Sequence, residues 1–281
     1  MPRTRIAALT TLAMIAFAGN SLLCRLALKG AGIDAATFTL VRVVSAALTL
    51  WLILRIRGAP RGIAGNWYSA FALFVYAGGF SFAYLGLPAG TGALLLFGAV
   101  QATMIGYGLW TGEHLRVPQW AGLVLALGGL IGLVLPGISA PPLGSSLLML
   151  GAGVAWGVYS LRGRRSCDPT TTTAGNFLRA VPFAAAVSAL TLAHTSFEQS
   201  GLMYAILSGA VTSGVGYVVW YTALRELKAA TAATVQLSVP VITAMGGIAL
   251  LGEPLTPRLL VGSAAVLGGI ALVVAKKQTV R

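Results

Sequence analysis

Long apolar stretches separated by short polar segments run along this whole chain. A bilayer core requires roughly 20 apolar residues per helix, and ten stretches approach that length. Because lipid offers no partners to backbone polar groups, these stretches are predicted to be helices rather than open sheets. The short connections predict antiparallel neighbours. The predicted spans are Ile6–Leu26, Ala35–Leu54, Ala64–Tyr84, Pro88–Trp110, Gln119–Leu135, Leu143–Leu161, Thr171–Ala193, Leu202–Leu224, Ala229–Leu251 and Leu259–Ala275.

The chain also contains an internal repeat, and such a repeat changes how the whole fold is interpreted. At a shift of 140 positions, Gly90–Val134 matches Ala230–Val274, and farther upstream the shift is 137. Apolar residues match each other easily, so the glycines and the charged residues are the informative matches. They pair Gly112-Glu113 with Gly252-Glu253, Gly128-Gly129 with Gly268-Gly269, and Arg42 with Arg179. Two aromatic positions also match, Phe80 with Tyr217 and Tyr84 with Tyr221.

The repeat predicts the architecture. Each copy holds five predicted spans, in residues 1–137 and 138–281. An odd number of spans makes the second copy enter the membrane from the other side. Inverted repeats are typical of secondary transporters, whose solute site lies near the membrane midplane between the halves. The predicted fold class is therefore an all-α polytopic membrane protein with ten transmembrane helices in two inverted five-helix repeats.

Composition and charge agree with a membrane protein. The chain is 57% hydrophobic and 9% charged, whereas soluble domains carry about 25% charged residues. A net charge of +13 could indicate a nucleic-acid partner. With the N-terminus inside, however, the outer side holds only Arg25, Lys29 and Arg258, so the positive-inside rule places both termini in the cytoplasm and no nucleic acid is expected. The predicted cytoplasmic residues are Arg3, Arg5, Arg55, Arg57, Arg61, Arg116, Arg162, Arg164, Arg165, Arg225, Lys228, Lys276, Lys277 and Arg281.

Several kinds of chemistry are excluded by what the sequence lacks. Cys24 and Cys167 lie on opposite predicted sides, so no disulfide is expected. His114 and His194 are likewise separated and lack metal-ligand spacing. No glycine-rich phosphate loop is present, and no cluster of acid, histidine and nucleophile lies at one depth. We therefore expect no metal, no cofactor and no enzymatic activity.

The acidic residues avoid the predicted membrane interior. All six lie in loops or at the ends of spans, so no carboxylate is available mid-membrane for the usual proton relay. Transport is expected to proceed without a buried-carboxylate relay. The six are Asp34, Asp168, Glu113, Glu198, Glu226 and Glu253.

These features together resemble a known family. The two five-helix repeats, Trp156-Gly157 in the sixth span, an arginine in the second span of each half and the two Gly-Glu pairs resemble the ten-helix EamA branch of the drug/metabolite transporter superfamily. The pattern is also similar to YddG-type exporters of aromatic amino acids. The resemblance implies a central cavity between the first, third, fourth, sixth, eighth and ninth spans. Val100 departs from the repeat, because Pro240 stands at that position in the second half.

Aromatic residues are the main candidates for the cavity wall. Tyr76, Phe80 and Tyr84 recur every four residues, so they share one helix face. Rings near span ends can instead form interfacial belts, and for Tyr84 and Tyr221 both interpretations stay open. The predicted cavity residues are Trp156, Tyr159, Phe80, Phe97, Tyr217, Trp220, Gln236, Ser238, Asn20, Tyr76, Tyr84 and Tyr221.

Pro240 is a candidate hinge inside the ninth span. It lacks an N–H, so the carbonyl of Gln236 loses its helical partner. A solute contact and an ordinary kink are both compatible with this. Pro182 has the same relation to Leu178 in the seventh span, where an ordinary kink is expected.

Arg42 and Arg179 lie within predicted spans. A membrane-embedded charge is expensive and faces the bundle interior or water. Each arginine is either a clamp for the carboxylate of an amino acid or a structural residue that binds free carbonyls. The structural role is favoured, because the resemblance places the second and seventh spans outside the cavity.

Glu113 and Glu253 end their helices, where the helix dipole disfavours a carboxylate. A compensating basic neighbour is expected, in a loop clasp or a gate. The motif Gly128-x-x-x-Gly132 permits close helix contact, within the chain by default and otherwise in a homodimer.

The leading functional hypothesis is a carrier in the cytoplasmic (inner) membrane. Its partners are the lipid bilayer and a small-molecule solute. It is expected to export amino acids or related metabolites by alternating access, with aromatic and apolar solutes favoured by the cavity rings. The alternatives are an exporter of drugs or sugar derivatives in the same fold, or a channel.

Overall fold

The computed structural model describes residues 1–58, 64–137, 140–163, 166, 168–227 and 229–275, and every regular element in these ranges is helical. Two of the ten helices are composite. The helix α8 contains a π-helical stretch, Ser208–Val215, and α9 is interrupted at Leu237. The helices are α1 (Arg3–Gly30), α2 (Ala35–Ile56), α3 (Trp67–Ala83), α4 (Ala89–Trp110), α5 (Val117–Val134), α6 (Leu143–Gly163), α7 (Pro169–Leu190), α8 (Gln199–Leu224), α9 (Ala229–Gln236 and Ser238–Leu251) and α10 (Pro257–Ala275).

The helices coincide with the ten predicted spans, and the chain is an all-α polytopic membrane protein. Within the described ranges, eight helices are long and apolar enough to cross a membrane. The apolar α3 is shorter, with 17 residues. α7 has 22 residues but is more polar, because it carries a run of threonines together with Asn176 and Arg179. Large apolar side chains such as Leu48 and Leu190 are exposed on the outside of the bundle, as lipid-facing positions should be.

The contacts that the connecting segments make with one another place these segments on two opposite faces of the bundle. On the N-terminal face, the amino group of Met1 pairs with Glu226. On the opposite face, the backbone N–H of Ser196 donates to Asp34. The connections alternate between these faces along the chain. Outside the described residues lie Cys167 and the predicted cytoplasmic residues Arg61, Arg164, Arg165, Lys228, Lys276, Lys277 and Arg281.

The main helix pairs have counterparts when the two halves are exchanged. α2 packs on α7, α4 on α9, and α5 on α10. The contact of α1 with α8 has its counterpart in that of α6 with α3, and the contact of α1 with α9 has its counterpart in that of α6 with α4. The repeat in sequence therefore corresponds to a repeat in packing, and the interior lies where the two halves meet.

Glycines bring α5 and α10 into close contact. A Cβ atom at Gly122 would lie 2.6 Å from the carbonyl oxygen of Gly269, so only glycine allows the two backbones to approach this closely. Gly128 and Gly132 have nothing within 4 Å of an added Cβ and lie on the exposed side of α5. The expectation that this pair packs within the chain is wrong.

The repeated Gly-Glu pairs end α4 and α9 in the same way. Gly112 has φ +92° and Gly252 has φ +62°, the left-handed conformation that glycine adopts without strain. The backbone N–H of Glu113 then donates to the carbonyl of Gly108 at 2.8 Å, and that of Glu253 to Gly247 at 3.0 Å. These bonds satisfy carbonyls that the helix ends leave free.

The proline in α9 has the predicted local effect. The helix breaks at Leu237, beside the carbonyl of Gln236 that Pro240 deprives of its partner. α4, which has Val100 at the corresponding position, is unbroken. Pro182 lies inside a continuous α7. The break is therefore a specific feature of the second half.

Asp34 and Asp168 cap the second helix of each half. Asp34 accepts hydrogen bonds from the backbone N–H groups of Ala36 and Thr37, at 3.0 and 2.9 Å. Partial burial by itself raises the pKa of Asp34. The bonds from Thr37, Ser196 and Ala36 outweigh burial, and the pKa lies below its ordinary value of 3.8.

We predict that Asp34→Ala lowers the free energy of unfolding at pH 7 by about 1 kcal/mol, the usual effect of losing an N-cap. Because the folded pKa is depressed, the stabilisation is complete above the unfolded pKa of about 3.9 and is lost as pH falls through the folded value. Thermal unfolding in detergent measures this difference. The gap between wild type and variant should close on acidification, and Asp34→Asn, which keeps an acceptor, should stay near wild type at pH 7. A constant gap down to pH 2 would contradict the assignment.

Candidate functional site

A cavity of about 650 Å³ lies between the two halves and opens on the N-terminal face. Its walls come from α4, α6, α8, α9 and α10. Glu113 and Arg225 stand at the mouth. Protein ligand pockets commonly measure roughly 300–1,000 Å³, so the volume suits a small solute. The predicted residues that line the cavity are Trp156, Tyr217, Trp220, Tyr221 and Gln236.

Two buried polar groups on this wall have no partner in the structure. They are the amide Nε2 of Gln101, whose side chain is 3% exposed, and the hydroxyl of Tyr217. A buried polar group without a hydrogen bond costs about 1–3 kcal/mol. Because both residues line the cavity, a solute or water inside it can supply the missing bonds.

An aromatic layer closes the inner end of the cavity. Trp156 stacks on Tyr76 with ring centroids 5.4 Å apart and makes edge contacts with Phe17 at 5.8 Å and Phe97 at 5.3 Å. Phe17 also contacts Tyr217 at 5.9 Å. Such edge and stacked contacts stabilise each pair by about 0.5–1.5 kcal/mol. A solute in the cavity cannot pass this layer of five rings unless a ring moves.

A second, much smaller void lies beyond the aromatic layer. Its volume is about 10 Å³, room for roughly one water molecule. The predicted cavity residues Asn20, Tyr76, Phe80 and Phe97 line this void instead of the main cavity. The two spaces share Trp156 and Tyr217 in their walls.

Polar side chains from three helices meet beside the void. Asn20 accepts hydrogen bonds from the hydroxyls of Ser208 at 2.7 Å and Thr212 at 3.2 Å, and donates to the hydroxyl of Tyr76 at 3.4 Å. Ser208, Thr212 and Ser213 all belong to the π-helical stretch of α8. π-helical segments are rare and frequently mark functional sites. We call Asn20, Tyr76, Ser208, Thr212 and Ser213 the polar cluster.

Arg42 reaches the polar cluster from α2. It is 1% exposed, donates from Nη2 to the Tyr76 hydroxyl at 2.9 Å, and donates from Nε to the Ser213 hydroxyl at 3.3 Å. Its guanidinium carbon lies 4.8 Å from the centroid of the Phe80 ring. The third nitrogen, Nη1, has no partner.

Arg179, at the corresponding position of the repeat, has different surroundings. It is half-buried, and its Nη1 donates to the carbonyls of Ala64 at 2.7 Å and Gly175 at 3.1 Å. These are the contacts expected of a structural arginine. Neither arginine lines the main cavity.

Three predicted cavity residues lie away from both spaces, because other contacts hold their side chains. Tyr84 is fully buried and donates to the carbonyl of Ala89 at 3.2 Å. Tyr159 donates to Thr173 at 3.3 Å, and Ser238 donates to the carbonyl of Val235 at 2.6 Å. In this structure, therefore, Tyr84, Tyr159 and Ser238 line neither the cavity nor the void.

An ion pair closes the opposite face of the bundle. Arg25 of α1 donates to Glu253 at 3.1 Å, and its Nη1 donates to the carbonyl of Tyr84 at 2.8 Å. The other oxygen of Glu253 accepts from the backbone N–H of Ala89 at 2.7 Å. We call Arg25, Glu253 and these backbone groups the clasp. It ties α1 to the start of α4 and the end of α9, and it supplies the basic neighbour expected for Glu253.

Glu113 occupies the corresponding position in the first half, but its environment is the reverse. It is exposed at the cavity mouth on the N-terminal face, whereas Glu253 is 8% exposed. Glu253 is the one buried acid among the described residues, and it lies at a helix end rather than mid-membrane.

Sequence reasoning missed several of the residues that form this site. Phe17 lies in an apolar run of α1 that does not set it apart from its neighbours. For Arg25 the sequence predicts only a position on the outer side of the membrane. The only signal for Gln101 was a single amide in an apolar span, which is more often interhelical glue. The role of Ser213 depends on its proximity to Arg42, and no local pattern indicates it.

Two similarities decide the family. The EamA-like transporter family matches residues 143–275. An uncharacterized protein of Pseudomonas aeruginosa is 56% identical over 278 residues, which is 99% of this chain and 97% of that protein. The chain belongs to the EamA-like transporter family.

Two further similarities concern a named exporter and a solved structure. The threonine/homoserine exporter RhtA of Escherichia coli strain K12 is 34% identical to this EamA-like transporter over 177 residues, 59% of each chain. A crystal structure of a protein superimposes with a TM-score of 0.71 at 18% identity, covering 99% of this chain and all of that one, which shows a shared fold.

Family membership confirms several expectations. This EamA-like transporter is a multi-pass membrane protein of the drug/metabolite transporter superfamily, its partner is a small-molecule solute, and it is not an enzyme. In the described part of the chain, no three potential ligands lie close enough together to hold a metal ion.

We predict that a cysteine on the cavity wall reacts with a hydrophilic maleimide, whereas one beyond the aromatic layer does not. Ser160 lines the cavity and is half-buried, while Ser21 lines the void and is 1% exposed. In a background with Cys24→Ser and Cys167→Ser, Ser160→Cys should be labelled and Ser21→Cys should resist until the protein is denatured. Equal labelling of both would mean that the aromatic layer does not seal the cavity.

Proposed function

We propose that this chain exports amino acids and related small metabolites across the cytoplasmic membrane, with aromatic and apolar side chains favoured. The main support is the cavity, which has the volume of a ligand pocket and lies between the halves. Its wall combines the rings of Trp156, Trp220 and Tyr221 with the unpaired amide of Gln101. Such a site offers apolar contact to a side chain and hydrogen bonds to polar groups.

The amino-acid class has a second, independent support. The E. coli relative is named as a threonine/homoserine exporter. The preference for aromatic solutes rests instead on the rings in this chain's own cavity wall. Export of drugs or sugar derivatives is the alternative that a substrate panel must exclude.

The orientation of the chain in the membrane is inferred from its charges. In the described part of the chain, Arg55, Arg57 and Arg116 flank helix ends on the N-terminal face, and the positive-inside rule assigns that face to the cytoplasm. The cavity then opens to the cytoplasm while the clasp closes the outside. We therefore interpret the structure as an inward-facing state that can take up a cytoplasmic solute.

Alternating access between inverted halves is the proposed mechanism. The halves, residues 1–137 and 138–281, are supported by the sequence repeat and by helix pairing that survives their exchange. Inversion is supported by the contact of Ser145 near the start of α6 with Gly86, in a connection on the face opposite to the N-terminus. In such carriers, one half rocks against the other around a fixed site.

The two repeated glutamates are the proposed gate positions. In the inward-facing state Glu253 is buried against Arg25, and Glu113 is exposed at the open mouth. The counterpart of Arg25 in the repeat is Arg162, which here donates to Ser69 at 2.9 Å. In the outward-facing state, we expect Glu113 to become buried against a basic residue at the end of α6.

The carrier is tested by uptake into proteoliposomes made with the full chain. We predict saturable uptake of L-phenylalanine, L-tryptophan and L-threonine that accelerates when the same amino acid is present on the other side. Flux that neither saturates nor accelerates would identify a channel. If a sugar derivative or a cationic dye is transported and no amino acid is, the amino-acid proposal is wrong.

One substitution tests the proposed preference for aromatic solutes. Tyr221→Leu keeps an apolar side chain on the cavity wall but removes the ring. We predict that the KM for L-phenylalanine rises about 3- to 10-fold, corresponding to the loss of one aromatic contact, while the KM for L-threonine stays unchanged. Equal changes for both amino acids would argue against a role of this ring in substrate preference.

Breaking the clasp should favour the outward-facing state. Removing one partner of a buried charge pair costs about 2 kcal/mol or more, a shift of at least about 30-fold in the equilibrium. We predict that Glu253→Gln slows maleimide labelling of Ser160→Cys from the cytoplasmic side. Glu113→Gln is the matched control at the open mouth and should not slow it. If both variants label alike, the clasp does not control access.

A further inference from the structure

We propose that Arg42 binds the carboxylate of the transported solute, in a head-group subsite that it forms with Tyr76 and Ser213 beyond the aromatic layer. This inference rests on the proposed function, because it specifies which part of an amino acid the protein recognises. The subsite would take any small solute with a free carboxylate whose remaining part fits among the rings of the layer.

The first reason is an uncompensated buried charge. Arg42 is 1% exposed, and the two ion pairs found among the described residues, Met1–Glu226 and Arg25–Glu253, do not include it. A buried charge is strongly unfavourable unless it is paired. Rings of Tyr76 and Phe80 offset part of this penalty through cation–π contacts. A carboxylate would supply the missing negative charge.

The second reason is the free donor of the guanidinium. Nε and Nη2 each have a hydroxyl partner, but Nη1 has none. A carboxylate can accept from two guanidinium nitrogens at once, in the planar geometry that makes these pairs strong and specific. Tyr76 and Ser213 already fix the orientation of the arginine, so binding requires little further ordering of its side chain.

The third reason is the position of Arg42 along the path. Tyr76, Phe80 and Ser213 contact the arginine and also line the small void. Trp156 and Tyr217, two rings of the aromatic layer, line both this void and the cavity that opens on the N-terminal face. If these two rings swing aside, the void and the cavity become one space, with Arg42 near its far end.

The repeat provides an internal comparison. Arg179 stands at the corresponding position and donates to two backbone carbonyls, one of them in the connection that precedes α3. Arg42 has no carbonyl partner among the described contacts. If Arg42 only held helices together, backbone carbonyls would be the natural partners, as they are for Arg179. Its hydroxyl and ring partners instead leave the charge available to an anion.

The test measures binding to the purified full chain in detergent by isothermal titration. The probes are L-phenylalanine and L-threonine, each compared with its carboxamide, L-phenylalaninamide and L-threoninamide. We expect wild type to bind each acid more tightly than its amide. Arg42→Gln should weaken binding of the acids about 10- to 100-fold, the usual effect of losing a charge-assisted hydrogen bond, and should leave binding of the amides unchanged. Retained amide binding shows that the variant is folded.

Two further variants make the result specific. Arg179→Gln is the matched control and should keep the preference for acids over amides. Arg42→Lys keeps the charge but loses the planar fork, so it should retain a reduced preference. If Arg42→Gln does not fold, Arg42→Lys decides, and a preference equal to that of wild type would overturn the proposal.

Failure of this inference can be told apart from failure of the proposed function. Equal binding of acid and amide by wild type, no binding of either acid, or undiminished acid binding by Arg42→Gln would each overturn the role of Arg42. Amino-acid uptake into proteoliposomes would still support the exporter in those cases. Acid-selective binding through Arg42 without uptake of any amino acid would support the subsite and contradict the exporter.

Discussion

Polar groups inside a bilayer must find their partners within the protein, and this constraint shapes the whole structure. Helices satisfy the backbone, Arg179 binds carbonyls, and Glu253 takes its bonds from Arg25 and a backbone N–H. Five buried side-chain groups in the described part of the chain have no partner, and three of them belong to Gln101, Tyr217 and Arg42. These three lie along one path, from the open cavity through the aromatic layer to the polar cluster. Two of these three groups, on Gln101 and Tyr217, already line the open cavity, and the third, on Arg42, lies beyond the aromatic layer.

The two halves have similar sequences but different environments, and this difference defines the conformation. Glu113 and Glu253 end their helices through the same left-handed glycine, yet one is exposed and the other is buried in an ion pair. The packing of the helices is symmetric under exchange of the halves, whereas the two ends of the bundle are not. A pseudo-symmetric bundle that is open at one end has a counterpart that is open at the other, reached when the halves exchange their local arrangements. On the proposed alternating-access mechanism, the closed clasp and the open cavity occur together because both belong to one of two equivalent packings.

Much of this fold could be predicted from the sequence, because the apolar stretches are long and the repeat is visible in its glycines and charges. Three of the candidate rings, Tyr217, Trp220 and Tyr221 of α8, line the cavity in the structure. The sequence did not indicate that the hydroxyl groups of Tyr84 and Ser238 donate to nearby backbone carbonyls, away from the cavity. Arg25 and Glu253 are 228 positions apart, and no local pattern links them. The π-helical stretch of α8 was also beyond sequence reasoning, because it arises where that helix packs against α1 and α2.

A carrier must bind its solute with different strength in its different states, since a ligand shifts an equilibrium only through such a difference. On the proposed role of Arg42, the aromatic layer and this arginine together provide such a difference. While the layer is closed, the solute can occupy only the cavity, where rings and the Gln101 amide contact it. On the proposed role of Arg42, displacing Trp156 exposes a buried positive charge that a carboxylate compensates. In the empty protein the contacts of Trp156 with Phe17, Tyr76 and Phe97 keep the layer closed, while a bound acid replaces the lost ring contacts with a charge-assisted bond. The rings would then oppose leakage through the empty protein, and the guanidinium would select the solute that can open the layer.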